Sequence, residues 1–405
     1  MAETYYGTLE PRIDNTECVN CGLCADVCPA GKMAAPDPAC GFDPFEGRVI
    51  GAYIGSLTDS APLRNAQSGG IATGILLHAL DTRRIEKVIV TGFSRENPLR
   101  PEARLTDDPS EILDARGSKY CPVALNTVLD QIAQTDAPVG FVGLPCHIQG
   151  LRLAQKRMPA RFANIAFTIG LFCDRSLSYL IMDYMLRAMG LPKSRTDRFY
   201  FRSKAWRGYP GDIRVTTRTG MDHNLPREFR MSAKWLYTPL ACRICFDKLN
   251  TSADISVGDA WGLEHNTAGS SSVLTRTPLG EELVKEVSAT GKAGLRRVEA
   301  ISILEGQRIS KRRTDQPAFL WAWDRLRISP QRTLCVPDNA EKSPGFLKRR
   351  LKAYLTLLSG LFLRTRIGCL LLANMPTRLP LILQSILISP GKAKLILRRL
   401  IKPKR

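Results

Sequence analysis

The chain has 405 residues, 44% of them hydrophobic, and a formal net charge of +20 from 58 basic and 38 acidic side chains. This length predicts two or three domains with enough material for a buried core. Fifteen basic residues and one acidic residue fall in residues 341–405, so the charge does not indicate a nucleic-acid-binding surface over the whole chain. Twelve cysteines are typical here of metal ligation in a reducing compartment, and the polar N-terminus lacks a secretory pattern, so we expect a cytoplasmic protein.

The N-terminal module, residues 1–45, contains four closely spaced cysteines before a proline: Cys18, Cys21, Cys24 and Cys28. The C-x₂-C-x₂-C-x₃-C-P spacing is that of a bacterial-type [4Fe–4S] ferredoxin loop. A zinc knuckle usually pairs two C-x₂-C units across a longer gap, and so tight a loop cannot form internal disulfides without strain. In two-cluster ferredoxins the fourth cysteine serves the other cluster, so either these four close one cube, or Cys28 or Cys40 is recruited elsewhere.

Two glycine-containing segments in residues 46–135 are candidates for binding an anion. In the first, Ser68 precedes Gly69 and Gly70 at the start of an apolar helix that we predict to run through Leu80. Ser68 can cap this helix, the glycines let backbone approach a ligand, and a helix N-terminus presents N–H groups to an anion. A tight glycine turn with nothing bound fits the pattern equally well.

The second segment is a loop that reads Gly117-Ser118-Lys119-Tyr120. A lysine flanked by glycine and serine can hold a phosphate group. Taken alone, such a segment is most often a surface turn, so it indicates a binding site only in combination with the first one.

Residues 136–265 contain buried strands that end close to cysteines. The apolar stretch 138–144 leads to Cys146 at a helix start, and the stretch 164–172 ends at Cys173. Strands that alternate with helices predict a mixed, largely parallel α/β fold, in which ligand-bearing residues gather at the carboxyl ends of the strands. A helix start also lowers a thiol pKa, which suits a metal ligand.

A C-x₂-C pair, Cys242 and Cys245, comes next and precedes a short predicted strand in 253–262. With Cys146 and Cys173 it makes four cysteines, the number that a second cubane requires. An isolated cysteine is more often a small buried hydrophobe, but the four together favour a second cluster, with Cys121 as a reserve ligand.

His147 is the one histidine beside a candidate ligand, Cys146. It could shuttle a proton as a catalytic residue, although a histidine in this position more often hydrogen-bonds near the helix start. A G-x-G-x-x-G fingerprint follows none of the predicted strands, which disfavours a nicotinamide dinucleotide.

Taken in order, the motifs SGGIATGILLHAL, GSKY, VGLPCHIQGLR, IGLFC and C-x₂-C-x-D followed by DISVGDAWG resemble the beta subunit of coenzyme F420 hydrogenase/dehydrogenase over roughly residues 10–265. The resemblance implies an oxidoreductase with FAD and [4Fe–4S] clusters, and hydroxymethyl-chlorophyll reductase is a two-cluster cousin. It places a cluster on the four core cysteines. It also places FAD against eight residues of the two glycine segments: Ser68, Gly69, Gly70, Thr73, Gly117, Ser118, Lys119 and Tyr120. Cys121 departs from the apolar residue expected after GSKY.

The C-terminal region divides into residues 266–340, a Ser/Thr/Gly linker from Asn266 to Thr277 followed by polar helices, and residues 341–405, a basic helical tail. Leu and Ile interleaved with Lys and Arg fit an interfacial helix on an anionic membrane, which would place the protein peripherally at the inner membrane face. A helical arm packed on the protein itself fits equally well, and the basic residues could also steer an acidic carrier such as ferredoxin.

The function we expect is electron relay between a ferredoxin- or F420-type carrier and FAD or an organic substrate, through two [4Fe–4S] clusters. Two other functions stay open. One is a non-catalytic electron-transfer subunit of a larger redox complex, and the other is a membrane-surface scaffold with structural clusters.

Overall fold

The computed structural model describes residues 1–29, 42–264, 267–328 and 345–388. The expected alternative ligand Cys40 and the end of the basic tail lie outside these ranges.

Thirteen strands are formed by the described residues. They are β1 (Ala2–Glu3), β2 (Leu9–Glu10), β3 (Gly51–Leu57), β4 (Lys87–Phe93), β5 (Pro101–Thr106), β6 (Val139–Gly143), β7 (Ile165–Leu171), β8 (Thr196–Ser203), β9 (Asp212–Thr217), β10 (Asp222–Leu225), β11 (Ile255–Asp259), β12 (Ser271–Thr275) and β13 (Ala293–Arg297). The main sheet has eight strands in the order β13-β3-β12-β11-β7-β6-β4-β5, and β8 to β10 form a separate three-stranded sheet.

The main sheet is mixed. Its four central strands, β4, β6, β7 and β11, are parallel to one another, and the strands on both flanks join antiparallel. The α/β prediction is therefore confirmed, with parallel pairing confined to the centre of the sheet. The central strands are buried on both faces, which explains their continuous apolar sequences.

The helices are α1 (Leu23–Asp26), α2 (Ser60–Asn65), α3 (Ile71–Asp81), α4 (Pro109–Asp114), α5 (Leu129–Ala133), α6 (Pro145–Arg157), α7 (Leu180–Met189), α8 (Arg227–Tyr237), α9 (Leu240–Arg243), α10 (Pro278–Ala289), α11 (Ala300–Gly306), α12 (Ile309–Arg325), α13 (Phe346–Phe362), α14 (Arg366–Asn374) and α15 (Leu379–Ile388). Helices α3 and α10 cover one face of the main sheet, and α6 covers the other. This layering buries the sheet and leaves the carboxyl ends of its parallel strands open at one edge.

The sequence predicts a linker from Asn266 to Thr277. This prediction is wrong over the second half of the segment, because Ser271–Thr275 forms the buried strand β12 between β3 and β11. Its small hydroxylated side chains look like a linker in sequence, but those of Ser271 and Thr275 find hydrogen-bond partners inside the protein, while the Ser272 hydroxyl is buried without a partner in the described structure. Thr275 Oγ1, for instance, donates to Glu281 at 2.6 Å. The sheet therefore extends beyond residue 265, and β13 adds its edge strand.

Part of the basic tail packs against the rest of the protein. Helix α13 lies on α12 and buries Ala353 and Leu357 against Trp323, while α14 contacts α7 and α15 contacts α8. Among the described helices, none is by itself long and apolar enough to cross a membrane. Helices α13 and α14 meet that test only together, and they are bent by 91° at the break between them.

Candidate functional site

The N-terminal cysteine loop is open to solvent and locally tight. Cys18, Cys21 and Cys24 are exposed and Cys28 is half-buried. Gly22, with a φ of 73°, is the N-cap of the short helix α1. The N–H groups of Ala25 and Asp26 donate hydrogen bonds to its carbonyl. Left-handed backbone at this glycine lets the chain wrap tightly without a Cβ clash, so the donor set and the loop fit a cubane.

This loop rests on helix α6. A Cβ at Gly150 would come to 3.5 Å from Pro29 and 3.6 Å from the Val27 carbonyl, which shows how closely the loop approaches the helix. Arg157 at the end of α6 also forms an ion pair with Asp26 of the loop. The predicted cluster module is thereby held against the helix that carries Cys146 in its first turn.

The four core cysteines converge at the open edge of the sheet. Cys146 lies in the first turn of α6, directly after β6, and Cys173 follows β7. Asn250 ties these two strand ends together, because its side-chain amide donates to the Gly143 carbonyl at 2.9 Å and to the Leu171 carbonyl at 3.3 Å.

The C-x₂-C segment is anchored to the same edge. The Cys173 N–H donates to the Lys248 carbonyl at 2.9 Å, just after Cys245. The fully buried Asp247 accepts a hydrogen bond of 3.0 Å from Gln149 on α6 and further bonds from the Thr251 N–H. Cys245 is thus tied both to β7 and to the helix of Cys146.

The thiols of Cys146, Cys242 and Cys245 all lie within electrostatic range of Cys173. Burial, and after it the neighbouring thiols of Cys242, Cys146 and Cys245, raise the pKa of Cys173 well above its ordinary value. Among the described residues, no three or more His, Cys, Asp or Glu side chains are close enough to hold a single metal ion. A [4Fe–4S] cubane takes four cysteine thiolates, so the number and type of these donors fit a cluster.

Cys121 does not serve as a reserve ligand here. It is buried among hydrophobic residues of the core that includes Tyr179 and Met182. Burial is also the main cause that raises the pKa of its thiol. This is the small-hydrophobe behaviour expected of an isolated cysteine.

His147 is held by backbone groups. Its Nδ1 accepts a hydrogen bond of 3.3 Å from the Leu144 N–H, and it makes a second backbone hydrogen bond at Val123. Burial lowers the pKa of the imidazole to about 4, which keeps it neutral near pH 7. These contacts match the alternative considered for this residue, a histidine that closes a helix start.

The first glycine segment differs from its predicted role. Gly70, with a φ of 76°, is the N-cap of α3 and receives no side-chain cap, so the expectation that Ser68 caps this helix is wrong. The Ser68 hydroxyl lies 3.0 Å from that of Ser271 on β12. A Cβ at Gly69 would overlap the Gly55 carbonyl, so this glycine is required for packing against the sheet. Thr73 lies half-buried in the first turn of α3.

The two glycine segments do meet in the fold. The Ser118 N–H donates to the Gln67 side chain at 3.0 Å. A Cβ at Gly117, which has a φ of 86°, would meet no atom within 4 Å, so this residue borders open space. The Lys119 ammonium donates to the carbonyls of Ala115 and Arg116, the two residues that follow the end of helix α4. Burial lowers the pKa of Lys119 to about 7. Lys119 thus caps a helix end in the described structure.

Tyr120 is the centre of an aromatic and cationic cluster that sequence reasoning missed. Arg202 donates to the Tyr120 hydroxyl at 3.2 Å, and the Arg230 guanidinium lies 4.6 Å above its ring. Burial alone would raise the pKa of Tyr120, but the charges of these two arginines outweigh it and the pKa is lowered. Arg202 also forms a bidentate pair with Asp259 at 2.8 and 3.1 Å.

This cluster adjoins the core cysteines. Asp259 ends β11 and Cys173 follows β7, and these two strands are paired in parallel, about 4.8 Å apart. The exposed Trp261 and the ring of Tyr209 lie 5.6 Å apart and flank the Arg202 guanidinium. The signal in the sequence was the acidic Gly-rich turn at 258–262 and the basic aromatic stretch 198–209.

A charged patch surrounds Cys173 on its other side. Arg312 donates to the Cys245 carbonyl at 3.2 Å and pairs with Asp174 at 2.9 Å, while Lys234 approaches the same carboxylate at 3.4 Å. Burial alone would raise the pKa of Asp174, but Lys234 and Arg312 hold it well below its ordinary value. Burial lowers the pKa of the adjacent Lys248 to about 8.

Comparison with known proteins assigns the family. Residues 52–130 match the N-terminal domain, and residues 136–300 the C-terminal domain, of the coenzyme F420 hydrogenase/dehydrogenase beta subunit. The chain belongs to this beta-subunit family. Residues 11–31 match the 4Fe-4S binding domain, which confirms the predicted cluster module.

Two curated relatives and one solved structure place the chain within this beta-subunit family. The coenzyme F420 hydrogenase subunit beta of Methanosarcina barkeri is 28% identical over 272 residues, which are 64% of this chain and 86% of that protein. The coenzyme F420-dependent sulfite reductase of Methanocaldococcus jannaschii is 22% identical over 360 residues, 79% of this chain and 55% of the relative. A chain of the F420-reducing [NiFe] hydrogenase complex from Methanosarcina barkeri superposes with a TM-score of 0.55 at 25% identity, covering 73% of this chain and 98% of that one. Fold and redox class are confirmed by these matches.

Proposed function

We propose that this chain is an FAD-dependent oxidoreductase with two [4Fe–4S] clusters that transfers electrons between an F420- or ferredoxin-type carrier and a second substrate. The observation that carries the proposal is the convergence of Cys146, Cys173, Cys242 and Cys245 at one sheet edge. The reaction belongs in the cytoplasm, because a reducing compartment keeps these thiols available.

Helix α6 supports a path between the two cysteine sets. The loop of Cys28 and Pro29 packs at Gly150, four residues from Cys146. With a rise of 1.5 Å per residue, this separation is about 6 Å along the helix axis. Helix α6 therefore carries one core ligand in its first turn and supports the N-terminal loop about one turn later, which favours a short distance between the two ligand sets.

A flavin phosphate fits the region where the two glycine segments meet. The first N–H groups of α3 provide the positive end of a helix, and Gly117 borders open space. Lys204 donates to the Ser68 carbonyl at 3.3 Å and adds positive charge nearby, although burial lowers its pKa to about 8. Tyr120, between Arg202 and Arg230, would stabilise negative charge on a bound ring system.

When bound, FAD exchanges electrons singly or in pairs, and each cluster exchanges one, so together they connect two-electron and one-electron carriers. The role of the protein itself is to bind and orient these cofactors. The core cysteines supply thiolate ligands, Asp247 and Asn250 fix their backbone, and Arg202 with Asp259 fixes the Tyr120 hydroxyl.

The test is anaerobic purification of the full chain with assays of iron, sulfide and flavin. We expect about eight iron atoms per chain, falling to about four in Cys21→Ser and to about four in Cys173→Ser, with separate losses in the spectrum of the dithionite-reduced protein. Cys121→Ser is the matched control and should retain all the iron. Unchanged iron in Cys173→Ser would contradict the core cluster, and a flavin-free protein after FAD reconstitution would contradict the flavin site.

The second candidate is a non-catalytic electron-transfer subunit. It is favoured by the similarity to a subunit of F420 hydrogenase and to a chain of a hydrogenase complex. It predicts reduction of the purified chain by dithionite but no turnover with reduced F420 and an artificial acceptor. Turnover by the chain alone favours the first candidate.

A further inference from the structure

Helix α13 carries an exposed apolar stripe. We call "the stripe" the five large hydrophobic residues on one side of this helix, of which Leu347 is 80%, Leu351 60% and Leu355 55% exposed. Its other members are Leu358 and Phe362. The intervals of three and four residues place all five on one helical face.

The stripe is not the face that packs on the protein. The protein-facing side of α13 consists of Ala353, Leu357 and Gly360, all buried. A Cβ at Gly360 would come to 2.9 Å from Leu240 on α9. The helix is therefore apolar on two nearly opposite faces, and its own domain covers only one of them.

Helix α14, the next helix along the chain, carries further exposed apolar residues. Ile367 is 66%, Leu370 62% and Leu371 56% exposed, while Gly368 and Leu372 face the protein. The stripe alone is a row of five neighbouring apolar side chains, and exposed apolar surface of this kind is unusual on a soluble monomer and marks an interaction site.

Cations border this surface without acidic partners among the described residues. Lys348 and Lys352 each follow a stripe residue by one position, about 100° around the helix, and both are exposed. Arg366 and Arg378 are also exposed, and none of these four forms an ion pair with the described acidic residues. In sequence, residues 341–405 contain one acidic residue against fifteen basic ones.

We propose that α13 and α14 dock on an anionic lipid bilayer, with the stripe immersed at the headgroup boundary and Lys348 and Lys352 among the lipid phosphates. Apolar burial supplies binding, and the cations select anionic headgroups. A protein partner would need a matching apolar face with acidic residues around it, whereas an anionic membrane provides both properties everywhere on its surface. This surface goes beyond the redox function and does not depend on it.

Docking would bring the membrane close to the core cysteines. Arg243, next to Cys242 on α9, donates to the Thr356 carbonyl of α13 at 3.0 Å. The helix that meets the bilayer is therefore hydrogen-bonded to the turn that carries a proposed cluster ligand.

The test is flotation of the full chain with vesicles of phosphatidylcholine alone or mixed with phosphatidylglycerol. We expect binding to the anionic vesicles at low salt and weaker binding at high salt, because exposed charges are screened. Lys348→Gln/Lys352→Gln should weaken binding about 25-fold, since each cation near an anionic surface contributes about fivefold. Leu351→Glu/Leu355→Glu should weaken it at least about tenfold.

Matched variants separate the stripe from general surface effects. Ile301→Glu/Met221→Glu replaces residues that are 57% and 60% exposed elsewhere, and it should bind like the wild type with the same unfolding midpoint as the stripe variant. Equal binding to neutral vesicles would overturn the proposal. So would a dimer in solution that the stripe variant dissociates, or binding that only detergent reverses, because these indicate a second copy or a spanning hairpin.

Discussion

Gln149 connects the two halves of the core cysteine site, so Gln149→Leu tests the site geometry directly. Its side chain is 2% exposed, and its amide donates to the fully buried Asp247 at 3.0 Å. The substitution leaves this carboxylate with the longer bonds from Thr251, at 3.2 and 3.3 Å. Asp247 also keeps a hydrogen bond from the Asn250 N–H. A hydrogen bond to a charged group contributes about 1.5–3 kcal/mol, and the loss of the 3.0 Å bond from Gln149 to a fully buried carboxylate falls at the upper end of that range.

We therefore expect the free energy of unfolding of the metal-free chain to fall by about 2–3 kcal/mol, measured by urea unfolding with circular dichroism. Gln155→Leu is the control on the same helix, because Gln155 is half-buried and water can replace its bonds to Phe162 and Arg152. After reconstitution, iron should fall from about eight toward about four per chain in Gln149→Leu alone. If both variants agree within about 0.5 kcal/mol and keep the same iron, Gln149 does not position the core site.

Three further predictions follow from single contacts. Burial lowers the pKa of His147 in the folded protein to about 4, so the unfolded chain binds more protons than the folded one between pH 4 and 6.5. The free energy of unfolding should therefore be highest above pH 6.5 and should fall as the pH is lowered toward 4. In His147→Asn, urea titrations at several pH values should show a flatter dependence on pH. Gly69→Ala should destabilise by at least about 3 kcal/mol in thermal unfolding because its methyl group meets strand backbone, whereas Gly150→Ala, in ordinary contact distance, should be neutral or stabilising by about 0.5 kcal/mol. Asp259→Asn breaks the buried ion pair with Arg202 and should lower the free energy of unfolding in urea by about 3 kcal/mol. Asp114→Asn, at the exposed pair with Arg198, should lower it by less than about 1 kcal/mol. Equal losses would refute the role of burial.

Predictions that depended on local spacing agree with the structure. The four N-terminal cysteines form a tight loop because all their ligand geometry is set within eleven residues, and the matched 4Fe-4S domain covers the same segment. The apolar runs at 138–144 and 164–172 became β6 and β7 because buried parallel strands need continuous apolar sequence.

Predictions that depended on which atoms surround a motif in the folded protein agree less well with the structure. Gly69 resembles a ligand-approach glycine, yet it is required by the neighbouring strand, and Lys119 resembles a phosphate ligand, yet it caps a helix. In both cases the deciding atoms come from outside the local motif. The strand Ser271–Thr275 was missed for the same reason, since the hydroxyl groups of Ser271 and Thr275 find partners only in the folded protein.

The sequence by itself determined the ferredoxin-type loop, the α/β class and the amphipathic character of the tail, because each is written in the spacing of neighbouring residues. Only the tertiary structure decided that Cys146, Cys173 and Cys245 share one sheet edge, that Cys121 is excluded from it, and that Arg202 and Asp259 stand beside it. The physical reason is that side chains far apart in the chain meet through strand pairing and buried hydrogen bonds, and those pairings are set by the whole core.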